Sequence, residues 1–96
     1  MKTEYKYIHF VKIEDKPKTS VWSCRNIKSG GVLGEVRWYP HWRSYCYFPG
    51  FSAVYSSECL QAIQDFIFEL EKWHRLRTTG ATLADVFSKE SEGDSL

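Results

Sequence analysis

Hydrophobic and polar positions alternate along much of the first half of the chain. Four segments rich in aromatic and β-branched residues are separated by short polar breaks, one of which carries Gly30 and Gly31. Alternation with period two is typical of strands that bury one face, and short glycine-bearing breaks are typical of hairpins. The sequence therefore predicts an antiparallel β-meander of three to four strands, at residues 5–13, 19–27, 32–39 and 42–48.

The apolar period becomes helical after residue 55. Ser56 and Ser57 are suitable helix caps, and Glu58 suits the first turn because its charge complements the helix dipole. The apolar positions that follow at helical spacing are Leu60, Ile63, Phe66, Ile67, Leu70, Trp73 and His74. The predicted fold class is α+β, with one long C-terminal helix packed on one face of the sheet.

The length of the chain bounds its domain organisation. A chain of 96 residues fits one domain with a single core. We expect one α+β domain over residues 1–87. The remaining segment 88–96, SKESEGDSL, is small, polar and acidic, which favours a disordered tail.

Charge and hydropathy narrow the classes of partner. Thirteen Lys and Arg stand against twelve Asp and Glu, so no global field favours a polyanion, and only a local patch could do so. No apolar run is long enough for a membrane span, and the N-terminal segment lacks the apolar centre of a signal peptide. We expect a cytoplasmic protein without a membrane partner.

The residues that could carry catalysis or bind a metal are scattered. Cys24, Cys46 and Cys59 fit neither a disulfide framework nor a metal knuckle, and the three histidines fall on different elements. A buried thiol is a poor nucleophile, and no glycine-rich phosphate loop is present. The sequence predicts no enzyme, no catalytic residue, no metal and no cofactor.

Hairpin registers decide which side chains share a face of the sheet. With three-residue loops, Trp38 lies opposite Trp42 and Arg37 opposite Arg43, and on the neighbouring strand Trp22 lies opposite Trp38. The predicted core face then holds Trp22, Cys24, Val32, Val36, Trp38, Trp42, Cys46 and Phe48. The opposite, open face holds Arg25, Glu35, Arg37, Tyr39, Arg43, Tyr45 and Tyr47.

Arginine and tyrosine side chains on an open face are suited to nucleic acid. Guanidinium groups bind phosphates in bidentate fashion, and tyrosine rings stack on unpaired bases. The predicted binding residues are Arg25, Arg37, Tyr39, Arg43, Tyr45 and Tyr47, for either DNA or RNA. In the alternative interpretation, Glu35 pairs with one of the arginines and the tyrosines only cover the sheet.

Two resemblances follow from these residues. Three antiparallel strands and a helix, with Arg25, Arg37 and Arg43 on the open face, are similar over about residues 19–75 to the DNA-binding domains of apetala-type plant factors and of the arm-binding region of phage-type integrases. This resemblance implies that the sheet enters the major groove. The stretch LGEVRWYPHWRSYCYFP, residues 33–49, resembles small proteins of bacteria and their phages, which implies a mobile-element family and no particular activity.

An alternative interface is formed by aromatic residues outside the predicted core. Tyr5 and Tyr7 lie on the first strand, Phe51 follows a Pro-Gly pair, and Phe68 lies off the main apolar stripe of the helix. Together they would form an apolar patch for a second copy or for a protein partner such as a host or defence factor. The sequence thus predicts a non-enzymatic binding module, with nucleic acid as the first partner and protein as the alternative.

Overall fold

Four antiparallel strands and one helix form the fold. The computed structural model describes residues 1–79, with side chains described as far as residue 76. The elements are β1 (Ile8–Asp15), β2 (Ser20–Asn26), β3 (Val32–Tyr39), β4 (Ser44–Pro49) and α1 (Ser57–Thr79), and the strand order in the sheet is β1-β2-β3-β4. The predicted α+β meander with a C-terminal helix is confirmed. The predicted tail at 88–96 lies outside the described residues.

The core lies between α1 and one face of the sheet. The Phe10 and Phe66 rings stack with centroids 3.9 Å apart, and the edge of Trp22 meets Phe66 at 5.1 Å. The helix begins where the serine pattern indicates, because the Cys59 N–H donates to Ser56 Oγ at 3.2 Å. The buried helix positions are Ala62, Ile63, Phe66 and Leu70. Two members of the predicted stripe, Leu60 and Trp73, are instead 53% and 44% exposed.

The register between β2 and β3 differs from the prediction by two residues. Trp22 lies opposite Val36 and Cys24 opposite Gly34. Because side chains alternate with period two, a shift of two residues preserves the faces. Trp22 and Cys24 therefore face the helix as expected.

The register between β3 and β4 differs by three residues, and this changes the surface. The hairpin closes with Tyr39 opposite Ser44, so the loop contains four residues, 40–43. An odd shift moves every side chain of β4 to the other face. The predictions that placed Tyr45 and Tyr47 on the open face were therefore wrong, because both pack against the helical core.

Four residues assigned to the core face were also misplaced. Cys46 lies opposite Arg37 and Phe48 opposite Glu35, on the open face. Trp42 belongs to the loop and is 73% exposed, and Val32 at the start of β3 is 62% exposed.

Tyr47 sets this register by lying over Gly34. A Cβ atom at Gly34 would be 2.5 Å from the Tyr47 hydroxyl oxygen and 2.6 Å from the Phe48 carbonyl oxygen. Tyr55 donates its hydroxyl proton to the Leu33 carbonyl at 2.6 Å, so Tyr47 donates to the Tyr55 oxygen at 2.7 Å. The polar end of Tyr47 is thereby satisfied inside the domain.

Tyr45 is held in a similar way. Its ring is 5% exposed, and its hydroxyl oxygen accepts the Ser20 N–H at 3.1 Å. Its own N–H donates to the Glu71 carboxylate at 2.6 Å. Tyrosine is compatible with the core face of β4 because both hydroxyls have partners there.

We predict that Gly34→Ala lowers the free energy of unfolding by about 1–3 kcal/mol, because the added methyl displaces Tyr47 or the β4 backbone. Gly31→Ala is the matched control, since a Cβ there meets only the Ser29 hydroxyl, at 3.2 Å, which can turn away. Urea titration followed by tryptophan fluorescence measures both variants. Equal stability of the two variants would contradict this account of the register.

Candidate partner-binding surface

The end of the β3–β4 hairpin gathers exposed rings and guanidinium groups on the open face of the sheet. We call this set the aromatic–arginine surface. Its members are Arg37, Tyr39, His41, Trp42, Arg43 and Phe48. Of the residues predicted to bind nucleic acid, the structure brings Arg37, Tyr39 and Arg43 to this end of the hairpin.

Tyr39 is the centre of the ring contacts. Its centroid lies 5.1 Å from that of Trp42, 5.2 Å from that of His41 and 6.0 Å from that of Phe48. The contacts with Trp42 and Phe48 are edge-to-face, an arrangement that aromatic pairs prefer. Trp42 is thus held from one side while most of its surface faces solvent.

Arg37 is fixed by two neighbours. Its guanidinium carbon lies 3.8 Å above the Phe48 ring centroid, and its Nε lies 3.7 Å from the Glu35 carboxylate. The ion pair was the alternative to a phosphate-binding role, and it offsets part of the charge of the surface. Arg37 lies opposite Cys46, so the predicted pairing of Arg37 with Arg43 was wrong.

The other two arginines are at separate places. Arg25 lies at a register shift between β2 and β3, where its Nε donates to Ser23 Oγ at 3.1 Å. Arg43 ends the β3–β4 loop. The three arginines therefore do not form the single basic patch expected from the predicted register.

The loop has a defined backbone. Trp42 N–H donates to the Tyr39 carbonyl and Arg43 N–H to the Pro40 carbonyl, each at 3.2 Å. Arg43 has φ of 50°, in the left-handed region, which costs a residue with a side chain about 1–2 kcal/mol. Glycine would fit this position more easily, so the presence of arginine there favours a role for its side chain.

A shallow hollow lies beside Trp42. Its volume is about 240 Å³, and it is lined by Tyr39, Trp42, Cys46, Tyr47 and Phe48. Three of these residues, Cys46, Tyr47 and Phe48, belong to β4, which is an outermost strand of the sheet. Apolar walls beside charged groups suit an aromatic or aliphatic side chain of a partner.

The alternative interface residues line two hollows and one loop. Tyr5 and Phe68 line a common hollow of about 310 Å³ with Lys2, Asp65, Glu69 and Lys72. Tyr7 lines another hollow, of about 330 Å³, with Ile27. Phe51 is 100% exposed in the loop after β4. Phe68 and Phe51 are thus exposed, and a common interface of the four residues stays a prediction.

Burial perturbs two titratable groups of the core. Burial raises the pKa of the Cys24 thiol to about 11, and its interaction with the Tyr47 hydroxyl partly opposes this shift. Burial, followed by the hydrogen bond with Tyr55, raises the pKa of Tyr47 above its ordinary value. Both groups remain protonated at neutral pH, which fits structural roles.

Two features are absent from residues 1–79. This part of the chain has no cluster of three or more His, Cys, Asp or Glu side chains able to hold a metal ion. It also has no helix with the length and apolar character needed to cross a membrane.

Comparison with known proteins gave no match: no family model, no curated protein and no solved structure is similar to this chain. The resemblances to DNA-binding domains and to a phage protein family therefore stay predictions. The assignment of a function depends on the geometry of the surface.

Sequence reasoning missed three members of the surface. Trp42 and Phe48 were assigned to the core face, and His41 was not among the predicted binding residues. The available signal was the segment Tyr39-Pro40-His41-Trp42-Arg43, which also allows a four-residue loop that ends before Ser44. Within such a loop, a tryptophan without a strand neighbour is expected to be exposed.

We predict that the free energy of unfolding falls as the pH rises above about 9. The folded state retains the Cys24 and Tyr47 protons at pH values where the unfolded chain, with pKa values near 8.5 and 10, releases them. Their contribution is complete below those unfolded values and is lost at higher pH. In urea titrations between about pH 8 and pH 11, Tyr47→Phe should show a shallower decline than the wild type. The exposed control Tyr7→Phe should follow the wild type, and identical slopes for all three proteins would contradict this prediction.

Proposed function

We propose that this chain is a non-enzymatic module that binds a protein partner through the aromatic–arginine surface. The observation that carries the proposal is the exposure of Trp42. Its side chain is 73% exposed, although its ring contacts Tyr39 and its backbone belongs to a hydrogen-bonded turn. A tryptophan in this setting loses little conformational entropy when a partner covers it. It is therefore suited to act as an anchor.

The composition of the surface supports the same proposal. Tryptophan, tyrosine and arginine are the residues most enriched among those that dominate binding energy at protein interfaces. Arg37 is positioned by Phe48 and Glu35, and Arg43 lies at the rim of the loop. The hollow beside Trp42 can accommodate an apolar side chain of the partner.

The charge distribution favours protein over nucleic acid. Arg25, Arg37 and Arg43 do not form one basic patch, Glu35 is paired with Arg37, and the net charge of the whole chain is +1. Specific nucleic-acid affinity depends strongly on the neutralisation of several phosphates. With Tyr45 and Tyr47 turned into the core, the open face also has fewer rings available for stacking bases.

Nucleic acid is the second candidate, and one observation favours it. The exposed Trp42 ring is followed directly by Arg43, which ends the loop. An aromatic ring beside a guanidinium group can stack an unpaired base and contact its phosphate. This candidate requires single-stranded rather than duplex nucleic acid, because one loop presents both groups.

We predict that Trp42→Ala reduces the affinity for the protein partner by roughly 10- to 100-fold, because the central anchor is removed. Immobilised wild-type chain retains binding proteins from an extract of the cells in which the chain naturally occurs. The retained protein is then purified, and its affinity for each variant is measured by calorimetry. Trp73→Ala is the matched control, since it removes a half-exposed tryptophan from α1. Equal affinity of the Trp42 and Trp73 variants would refute this surface as the binding site.

Titration of labelled single-stranded and duplex oligonucleotides at about 50 and about 200 mM salt distinguishes the two candidates. Under the protein-partner proposal, neither oligonucleotide binds through Trp42. Trp42→Ala should therefore leave any oligonucleotide binding unchanged. Salt-sensitive binding of the single strand, lost in both Trp42→Ala and Arg43→Ala, would replace the proposal by the nucleic-acid function.

We predict that Arg43→Gly separates binding from stability. Glycine adopts the left-handed backbone of this position without strain, so the free energy of unfolding should stay the same or rise by up to about 1 kcal/mol. Affinity for the partner should fall, because the guanidinium group is lost. A variant that is less stable than the wild type and binds the partner equally well would show that Arg43 has a structural role.

A further inference from the structure

The two edges of the sheet are protected to different extents. At β1, the Phe10 N–H donates to the Thr3 carbonyl at 2.8 Å, and Tyr5 N–H donates to the Ile8 carbonyl at 2.9 Å. The rest of this edge carries a register shift between Lys12 and Glu14, and charged residues. Bulges and charges of this kind prevent the addition of another strand.

The β4 edge has a single protecting group among the described residues. Because Tyr45 N–H donates away from β3, to the Glu71 carboxylate at 2.6 Å, the alternation of the strand turns the backbone groups of Tyr45 and Tyr47 outward. Pro49 occupies the next outward position and has no N–H. Within residues 1–79, the Tyr47 N–H has no hydrogen-bond partner.

Apolar side chains flank this edge on both sides. Helix α1 runs back along β4, so Ile67, one turn before Glu71, lies beside the edge near Tyr47. Leu60, which is 53% exposed, lies on the same flank of the helix. On the open face, Phe48 lines the hollow beside Trp42. Apart from the Glu71 carboxylate, the residues Tyr45–Phe48 along this edge are uncharged and have apolar flanks, which favours strand pairing.

We propose that β4 pairs antiparallel with β4 of a second copy of this chain, about a two-fold axis at Cys46, and that Glu71 competes with this pairing for the Tyr45 N–H. In this register Tyr45 of one copy lies opposite Tyr47 of the other, and each N–H donates to the opposite carbonyl. The donor and acceptor set of the edge is self-complementary, as an isologous contact requires. The second copy also closes the hollow beside Phe48 and joins two aromatic–arginine surfaces into one face.

The proposed pairing places the two Cys46 thiols side by side. Cys46 turns its backbone groups towards β3, so the two Cys46 residues form a non-hydrogen-bonded pair across the axis. Such pairs have Cα atoms about 4.5 Å apart, within the range of about 4.4–6.8 Å that a disulfide spans. Cys24 is buried and Cys59 lies in the first part of α1, so neither approaches its counterpart.

Sedimentation velocity over an about hundredfold range of concentration tests the role of Glu71. Glu71→Ala should strengthen dimerisation by about tenfold or more, because the Tyr45 N–H is released for the second copy. Glu69→Ala is the matched control, since it removes a carboxylate from the opposite flank of the same helix, next to Tyr5. Circular dichroism establishes that both variants are folded. A Glu71→Ala variant that is folded and monomeric at every concentration overturns the proposal.

Thiol cross-linking tests the register. Diamide should convert the Glu71→Ala variant into a disulfide-linked dimer, with the reagent taking up the two electrons and two protons that the paired thiols release. Cys46→Ser should abolish this product and Cys59→Ser should leave it unchanged. Cross-linking through Cys59 alone overturns the Cys46 register. A monomer that still binds its protein partner through Trp42 would refute dimerisation and leave the proposed function intact.

Discussion

The contact between Tyr47 and Gly34 determines which residues of this protein form its core and which form its surface. Tyr47 occupies the space that a side chain at position 34 would fill, and its hydroxyl extends the hydrogen-bond chain through Tyr55 to the Leu33 carbonyl. Moving β4 by one residue would place Phe48 or Cys46 in this position, and neither can donate a proton to Tyr55 as a phenol does. The polar partners of Tyr47 therefore select one register, where hydrophobicity alone would allow two.

The surface follows from the same register. Once Tyr45 and Tyr47 face the helix, Cys46 and Phe48 must lie on the open face, and Phe48 provides the ring on which Arg37 rests. The backbone of the four-residue loop then reverses at Arg43, whose φ lies in the left-handed region. In this loop Trp42 contacts Tyr39, and the tryptophan side chain stays exposed. A change that weakens the buried hydroxyl chain should therefore alter the binding surface, although the two lie on opposite faces of the sheet.

The sequence was sufficient to predict the meander, the position of the helix and its serine cap, because these depend on local periodicity and on capping chemistry. It was not sufficient to predict the faces of β4. The segment 44–49 alternates tyrosine with cysteine and phenylalanine, and both sets are compatible with burial. The faces of β4 depend on its hydrogen bonds with Tyr55 and Glu71, which lie outside the strand and which the alternation within 44–49 does not reveal. The same ambiguity explains why Trp42 was assigned to the core.

Among the described residues, the two edges of the sheet are protected differently: backbone covers the β1 edge, and one carboxylate of α1 covers the β4 edge. On the β1 side, the N-terminal segment folds back along the strand and covers its outward groups with backbone, and such protection is independent of any one side chain. On the β4 side, the connection from Pro49 to Ser57 leads directly into the helix, and within residues 1–79 no backbone segment pairs with the outer side of the strand. Here a side chain of α1 protects the strand instead, because the Glu71 carboxylate accepts the outward N–H of Tyr45. Because a carboxylate can rotate away whereas a paired backbone segment must unfold, the β4 edge is the one at which another strand can be admitted reversibly.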